Sequence, residues 1–585
     1  MSETAKRVPP HLRRFVVTQD YGAYTAVDQA VWRFVLLQLR DRLGGSAHPA
    51  YTRGLEQTGM SVERIPRIEE MDECLGRFGW GAVCVDGFIP PRAFQELQAL
   101  GILPIAADIR RVEHLPYTPA PDIIHEAAGH APILPNPDYA AFLRRIGEHG
   151  MRAFSSPRDA QLYAAIHRLS VVKEQRDADP REIAATEQAL AALVVEPAPA
   201  SEAAVLSRLY WWTVEYGLIG TPKHYKLYGA GLLSSLGESY FCRQRSVRKL
   251  ALDRSCAAVD YDITRPQPQL FVARDFAQLG EVLEQVCGPF AFCKGGLAGL
   301  RTAMAAQELA TFVLDSGVHA TGQVAEVVAH AGEPCAVRLA GQAALGEAGG
   351  TLRGHGPKRY PRGLVVVLGS DSDEAVRWPA LGSGASSGAV RCTLSNGLRI
   401  EAVAAELIGR GAAERIVLFR EARVLRRGRA LFGDAPATVA WLKGERVTSV
   451  RAGAEDAGFF PDSHQPRASA PQRRPEDAEQ RARRRLYERT ARFRTADART
   501  ALSGAAAVHT ALERAHPHEW LLRWNLLELL TTLKLDPERR VRLRRELLEL
   551  ERALEGRHPI ATGLRYLAGS RAKKQTLKAR VRGRR

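Results

Sequence analysis

Apolar positions recur at three- and four-residue spacing through most of the first 300 residues, the mark of helices that bury one face. Segments 26–44, 66–79, 91–100, 138–150, 157–175, 181–195, 203–219 and 275–287 carry it. The first, AVDQAVWRFVLLQLRDRLG, ends at Gly44-Gly45, where a helix loses support. Strand-like runs are short: GAVCV (81–85) and QLFVA (269–273). The pattern predicts a loose leader over 1–24, then a mostly α domain with small β elements over 25–300.

The period changes near residue 308. TFVLDSGVHATGQVAEVV alternates and is rich in β-branched residues, and CTLSNGLRIEAVAAEL carries Asn396-Gly397 between alternating arms, a hairpin signal. IVLFREARVL, TVAWLKG and RVTSVRAG continue the pattern, so 308–453 reads as an all-β domain with Gly-rich loops at 342–356 and 382–388. Residues 454–504 read as a basic linker, part of it a charged helix. Helical period returns in WLLRWNLLELLTTLKL and RVRLRRELLELERAL, giving a small helical C-terminal unit over 505–570 and a basic tail at 571–585.

A chain of 585 residues is too long for one core and suits several domains. No leader run is apolar enough for a signal peptide, and no stretch reaches the roughly 18 apolar residues of a membrane span. A cytoplasmic protein without membrane contact is the default. The eight cysteines (74, 84, 242, 256, 287, 293, 335, 392) form no CxxC pair and read as free buried thiols of a reducing compartment. Histidines and carboxylates are then the better candidate metal ligands. The net charge of +17 is local: residues 467–499 hold 11 Arg against 5 acids, and 571–585 hold 8 Lys/Arg and no acid. The basicity therefore belongs to two C-terminal segments and says little about the helical domain.

Chemistry concentrates in YTPAPDIIHEAAGHAP (117–132). Pro121-Asp122 suits a helix start, and His125, Glu126 and His130 follow on that helix. A zinc-protease helix spaces its histidines by four, whereas here the spacing is five, about 140° around a regular helix. A local widening or a helix end at Gly129 could bring both to one metal. A second feature is Glu215, alone in the apolar and aromatic run LSRLYWWTVEYGLIG (206–220). Buried Glu is rare unless paired or metal-bound. Two His and one carboxylate with open positions form the facial triad of non-haem Fe(II) oxygenases.

These blocks resemble the pterin-dependent aromatic amino acid hydroxylases. The resemblance runs through 117–132, YWWTVEYGL (210–218), YGAGLLSSLGE (228–238), RIEEMDECLGRFGWGAVCVDGFIPPRAF (67–94) and DYDITRPQPQLFVARDF (260–276), and covers about residues 25–300. It implies the aromatic amino acid hydroxylase fold and a monooxygenase that uses Fe(2+), tetrahydrobiopterin and O2. One oxygen atom goes to the ring of an aromatic amino acid and the other to the pterin.

By the same resemblance, His125, His130 and Glu215 are the iron ligands. Glu126 contacts the pterin, Phe94 stacks on it, Gly87 in the loop to Pro91 borders its edge, and Tyr210 lies near iron and pterin. Arg110 takes the substrate carboxylate bidentately and Asp122 holds that Arg. Thr118 and Ser234 complete the carboxylate site, with Ser234 also orienting an iron histidine. Trp211 and Pro121 line the aromatic pocket. Trp211, together with Ile263 near a position that is apolar in phenylalanine enzymes, points to L-phenylalanine giving L-tyrosine. Ala120 departs from the family's Glu, no regulatory domain is expected before the core, and the family's tetramerisation helix is replaced by the β and helical units. Two other readings stay open: a zinc hydrolase, and a nucleic-acid-binding module in the basic C-terminal third. Oligomeric state, ring position and the role of 308–585 are not legible.

Overall fold

The computed structural model describes residues 3–569 except 88, 116–120, 175–178, 196–198, 264, 349, 370–385, 395, 409–415, 434, 436, 461–476 and 555–558. The basic tail at 571–585 therefore lies outside the described residues. Among them, no helix is long and apolar enough to cross a membrane.

The helix Ala26–Leu43 sits at the centre of the largest core. A Thr25/Asp28 capping box starts it, and Ala30 to Leu39 are all buried, including Arg33 and Gln38. A helix buried on every side needs partners all round. Part of its cover comes from the far end of the chain. Phe34 meets Trp520 and Trp524 edge-on at 5.2 and 4.7 Å. Arg33 pairs with Glu528 at 3.2 Å, and Glu528 also takes Arg494 at 2.7 Å. The stretch read as a linker (454–504) carries the helix Ala478–Arg492, whose buried Leu486, Tyr487 and Thr490 join the same core. Helices Ala498–Ala515, Trp520–Leu533 and Pro537–Ala553 follow. One continuous core thus spans both ends of the sequence. The leader is packed too: Val8, Leu12 and Phe15 lie buried against Val83 and Val85.

Small sheets carry the site. Gly81–Val85 pairs in parallel with Ile102–Ala106, and the chain then runs into Arg110. Leu218–Gly220 pairs in parallel with Gln269–Ala273 and antiparallel with Tyr225–Leu227, just after Glu215. The expected helix 203–219 is thus shorter: an α-helix over Glu202–Tyr210, a widened turn over Trp211–Glu215, then strand.

The β-rich stretch forms one eleven-stranded sheet. Its order is Ser386–Thr393, Leu398–Ile408, Ile416–Arg426, Ala437–Lys443, Leu364–Gly369, Glu333–Glu347, His319–His330, Leu309–Leu314 and Val447–Ala452, with two short strands at its margins. Alternation sorts side chains to two cores: Leu364, Val366 and Leu368 to one, Val365 and Val367 to the other. The Asn396-Gly397 hairpin joins its predicted arms antiparallel, with Gly397 at φ +78°. The Gly-rich stretch read as a loop from 342 is strand up to Glu347. Gly346 faces His319 across the ladder, and a Cβ there would lie 2.1 Å from the imidazole Nε2. Glycine at that point admits a ring and does not signal a loop. The second Gly-rich stretch, 382–388, lies largely outside the described residues.

All eight cysteines are free, but Cys293 is exposed and Cys74 half-buried, which corrects the expectation of eight buried thiols. Cys293 sits on the short helix Ala291–Lys294, whose buried contact is made by Ala291.

Candidate metal centre and its surroundings

The spacing of five between His125 and His130 is met by a π-helix over His125–His130. Ala131 N–H donates to Glu126 O, five residues back, so the turn is wide enough to place both imidazoles together. A second π turn over Trp211–Glu215 closes with Tyr216 N–H on Trp211 O at 2.9 Å and delivers Glu215. His130 Nε2 lies 3.1 Å from Glu215 Oε1 and 3.1 Å from His125 Nε2. His125 Nε2 lies 3.3 Å from Glu215 Oε2.

Hydrogen bonding fixes the His125 tautomer. The Ser234 hydroxyl donates to Ala230 O at 2.8 Å, so it accepts from His125 Nδ1–H at 3.1 Å. That leaves a lone pair on Nε2, aimed at His130 and Glu215. Burial opposes ionisation of Glu215, yet the two imidazoles hold its carboxyl well below the usual range. His130 Nδ1 is buried with no hydrogen-bond partner among the described residues.

One other group has metal-like spacing: His509, Glu513 and Glu546. There Arg523 donates to Glu546 at 3.0 Å, Arg542 pairs with Glu513 and Glu546, and Arg539 approaches His509 Nδ1 at 3.1 Å. Three guanidinium groups already neutralise it. Among the described residues, no Arg or Lys pairs with the ligand atoms of His125, His130 and Glu215, and Arg110 is engaged by Asp122. This first cluster therefore fits a divalent cation and the second does not.

Arg110 and Asp122 form a buried pair. Asp122 Oδ2 accepts from Arg110 N–H at 2.9 Å and Nε–H at 2.8 Å, while Oδ1 accepts from Nη2–H at 2.7 Å and from His125 N–H at 3.0 Å. Burial raises the Asp122 pKa, but Arg110 outweighs it and the net shift is downward. Arg110 Nη1–H also reaches Ser234 O at 3.3 Å. One fork of the guanidinium is thus spent, and only its Nη1/Nη2 edge stays available for a substrate carboxylate. Thr118 lies outside the described residues, and Pro121 is exposed.

On the other side, Glu126 is buried, with Oε2 4.0 Å from His130 Nε2 and no hydrogen bond to that oxygen. Burial, opposed by His130 and assisted by Glu215 and Asp122, pushes its carboxyl up to about 8. Phe94 meets Tyr210 edge-on at 6.3 Å, and Gly87 has φ +64° with open space around it. Sequence reading missed Gln98, whose Nε2 donates to the Tyr210 phenol at 2.8 Å. It also missed the rings that stack on Trp211: Tyr261 at 4.3 Å and 11°, and Tyr216 at 4.5 Å and 27°. Both tyrosines lie inside the motif blocks, so their proximity to Trp211 was the available signal.

A mostly helical domain that aims two imidazoles and one carboxylate at a single point has the form of a non-haem metalloenzyme of the facial-triad class. The profile of the "Biopterin-dependent aromatic amino acid hydroxylase" family matches residues 20–175 and 178–290. The chain belongs to that family. It is 31% identical over 268 residues to "Phenylalanine-4-hydroxylase" of Ralstonia nicotianae, covering 45% of this chain and 72% of the relative. It is 30% identical to that of Chromobacterium violaceum, covering 45% and 75%. A crystal structure of the C. violaceum phenylalanine hydroxylase with bound iron (III) and oxidised cofactor 7,8-dihydrobiopterin aligns at 27% identity, with a TM-score of 0.38, over 49% of this chain and 91% of that one.

Proposed function

We propose that this protein hydroxylates the ring of L-phenylalanine to give L-tyrosine, using tetrahydrobiopterin and O2 at an iron held by His125, His130 and Glu215. The convergence of Nε2, Nε2 and a carboxylate within 3.3 Å, with no competing cation among the described residues, carries the reading. Family membership supplies the pterin, and the names of the relatives supply phenylalanine.

Bound iron and pterin supply the O2 activation that no side chain here can perform. The protein's part is positional. Ser234 keeps the His125 Nε2 lone pair on the metal side. Asp122 holds the Arg110 fork so that its free edge meets the amino acid carboxylate. Trp211, backed by Tyr216 and Tyr261, walls the aromatic pocket. Glu126, buried beside His130 with one carboxyl oxygen free of hydrogen bonds, offers that oxygen to the pterin side. Phe94 offers its face to the pterin ring. The proposed compartment is the cytoplasm, supported by eight free cysteines.

The test is turnover by purified full-length protein loaded with Fe(II), given tetrahydrobiopterin and O2. Phenylalanine, tyrosine and tryptophan are offered separately, with His125→Ala alongside. Tyrosine formed from phenylalanine only with iron, pterin and His125 present supports the reading. No product from any of the three by iron-loaded protein sinks it.

A further inference from the structure

The helix Pro91–Ala99 carries Phe94, and its inner face is fixed by buried Ala93 and Leu97. Its first turn is held differently, by Arg92. Arg92 Nη2 donates to Glu308 Oε2 at 2.6 Å, and Glu308 Oε1 accepts from Ser155 N–H at 2.8 Å. Glu308 immediately precedes the strand Leu309–Leu314, the first strand of the large sheet. The last strand, Val447–Ala452, pairs with that one, and its continuation Gly453 lies close to the same arginine: a Cβ added there would sit 3.4 Å from Arg92 Nη1. Gly453 N–H donates to Leu309 O at 2.7 Å, and its carbonyl accepts from Thr311 Oγ1 at 2.8 Å. Ala452 N–H donates to Arg152 O at 2.9 Å, which ties the same corner to the helical domain. The entry and exit of the β-rich unit therefore meet at one corner, and the entry is ion-paired to Arg92, two residues from Phe94.

We propose that Glu308 is a positioning residue for pterin binding, through which the base of the β-rich unit sets the first turn of the Phe94 helix. This rests on the family reading of the pterin side of the site. Arg92 and Glu308 are both about three-quarters buried, with side-chain exposures of 23% and 25%. A charge-assisted bond in such surroundings holds a helix end better than a solvated pair does. Ring stacking depends on the angle and height of Phe94, so a loosened first turn weakens the pterin contact and leaves the amino acid side alone. On this view the β-rich unit, which shows no catalytic constellation among its described residues, serves the reaction through its anchoring corner.

The experiment uses iron-loaded full-length protein. The dissociation constant of 7,8-dihydrobiopterin is measured by calorimetry in wild type, Glu308→Gln, Arg92→Gln and the double variant. The KM values for tetrahydrobiopterin and for phenylalanine, the iron content and the melting temperature are read alongside. We expect about a fivefold weaker pterin dissociation constant in each single variant, and the double variant no weaker than either, since both remove one contact. Phenylalanine KM and iron content stay at wild-type values. A pterin constant within twofold of wild type in folded Arg92→Gln or Glu308→Gln overturns the assignment. So does a parallel loss of phenylalanine affinity and melting temperature, which marks a merely structural pair. Wild-type protein that binds no pterin defeats the family reading itself, and the assignment with it.

Discussion

Asp122 is the group whose removal the site should feel most widely. It accepts four hydrogen bonds, three from Arg110 and one from the backbone of His125. Asp122→Ala leaves a guanidinium that is 1% exposed on its side chain with, among the described residues, only Ser234 O as a partner. Breaking a buried ion pair from one side costs about 3–5 kcal/mol. Asp122→Asn keeps one acceptor oxygen, and so two of the four bonds, but loses the charge; about half that cost follows. Equilibrium urea denaturation of the metal-free protein measures it without metal linkage. At the site, an Arg110 no longer held on its Nε side turns its free edge from the substrate. Phenylalanine KM should rise at least tenfold, about 1.4 kcal/mol, while the pterin KM stays. A folded Asp122→Asn with an unchanged urea midpoint and an unchanged phenylalanine KM would refute the reasoning, because Arg110 would then need neither the charge nor the hold.

Three further outcomes follow from particular contacts. Glu215→Gln removes the charge that the two imidazoles stabilise, and bound iron measured after desalting should fall from about one per chain to under a tenth, an effect of at least about 1.4 kcal/mol; retention of full iron would place the metal elsewhere. Trp524→Ala empties the contact with Phe34 and should cost about 3–5 kcal/mol on chemical denaturation, whereas a loss under about 1 kcal/mol would show that the C-terminal helices do not share the central core. Burial, with the charge of Arg451 added, lowers the His319 pKa from 6.5 to about 4; the unfolded chain then binds the proton more readily, so stability is complete above pH 6.5 and lost as pH falls toward 4, by roughly 3 kcal/mol. In His319→Gln that acid-side slope should flatten, and an unchanged slope between pH 6.5 and 4 would assign it to other groups.

The limits of sequence reading here have physical causes. GAVCV and QLFVA fall on strands Gly81–Val85 and Gln269–Ala273 because compact apolar runs between turns leave little choice. The strand Ile102–Ala106 was hidden by Pro104, which usually argues against a strand. It is tolerated because this strand pairs on one side only, with Gly81–Val85. Helix Ala478–Arg492 was legible as a charged helix, but its narrow apolar stripe did not show that it packs into the main core. Most of all, helices buried on every side, Ala26–Leu43 and Trp520–Leu533, have no amphipathic face to announce a partner. Their mutual contact across some 490 residues is set by Arg33, Glu528 and the aromatic cluster, none of which sequence spacing connects. The motif residues were legible because each block is local. Gln98 and Glu308 were not, because their roles exist only through Tyr210 and Arg92 in space.

The histidine spacing shows how a sequence objection becomes structural evidence. On a regular helix, residues five apart diverge by about 140°, and a shared metal would be out of reach. The i→i+5 closure at Ala131 removes that divergence, and a second such closure at Tyr216 brings Glu215 to the same point. Widened turns cost helix stability, so two of them at one site demand a reason beyond packing. Gly129 shows how tightly the first is held: a Cβ there would lie 2.8 Å from Ala230 O, the carbonyl that accepts from Ser234 and so fixes the His125 tautomer. The wide turn, the close backbone approach and the tautomer are therefore one linked arrangement. A spacing of four would have needed none of it, and a chance HE pair would have had no cause to assemble it. The same five-residue gap that speaks against a zinc protease thus becomes, in this backbone, the strongest local argument for a metal held by His125, His130 and Glu215.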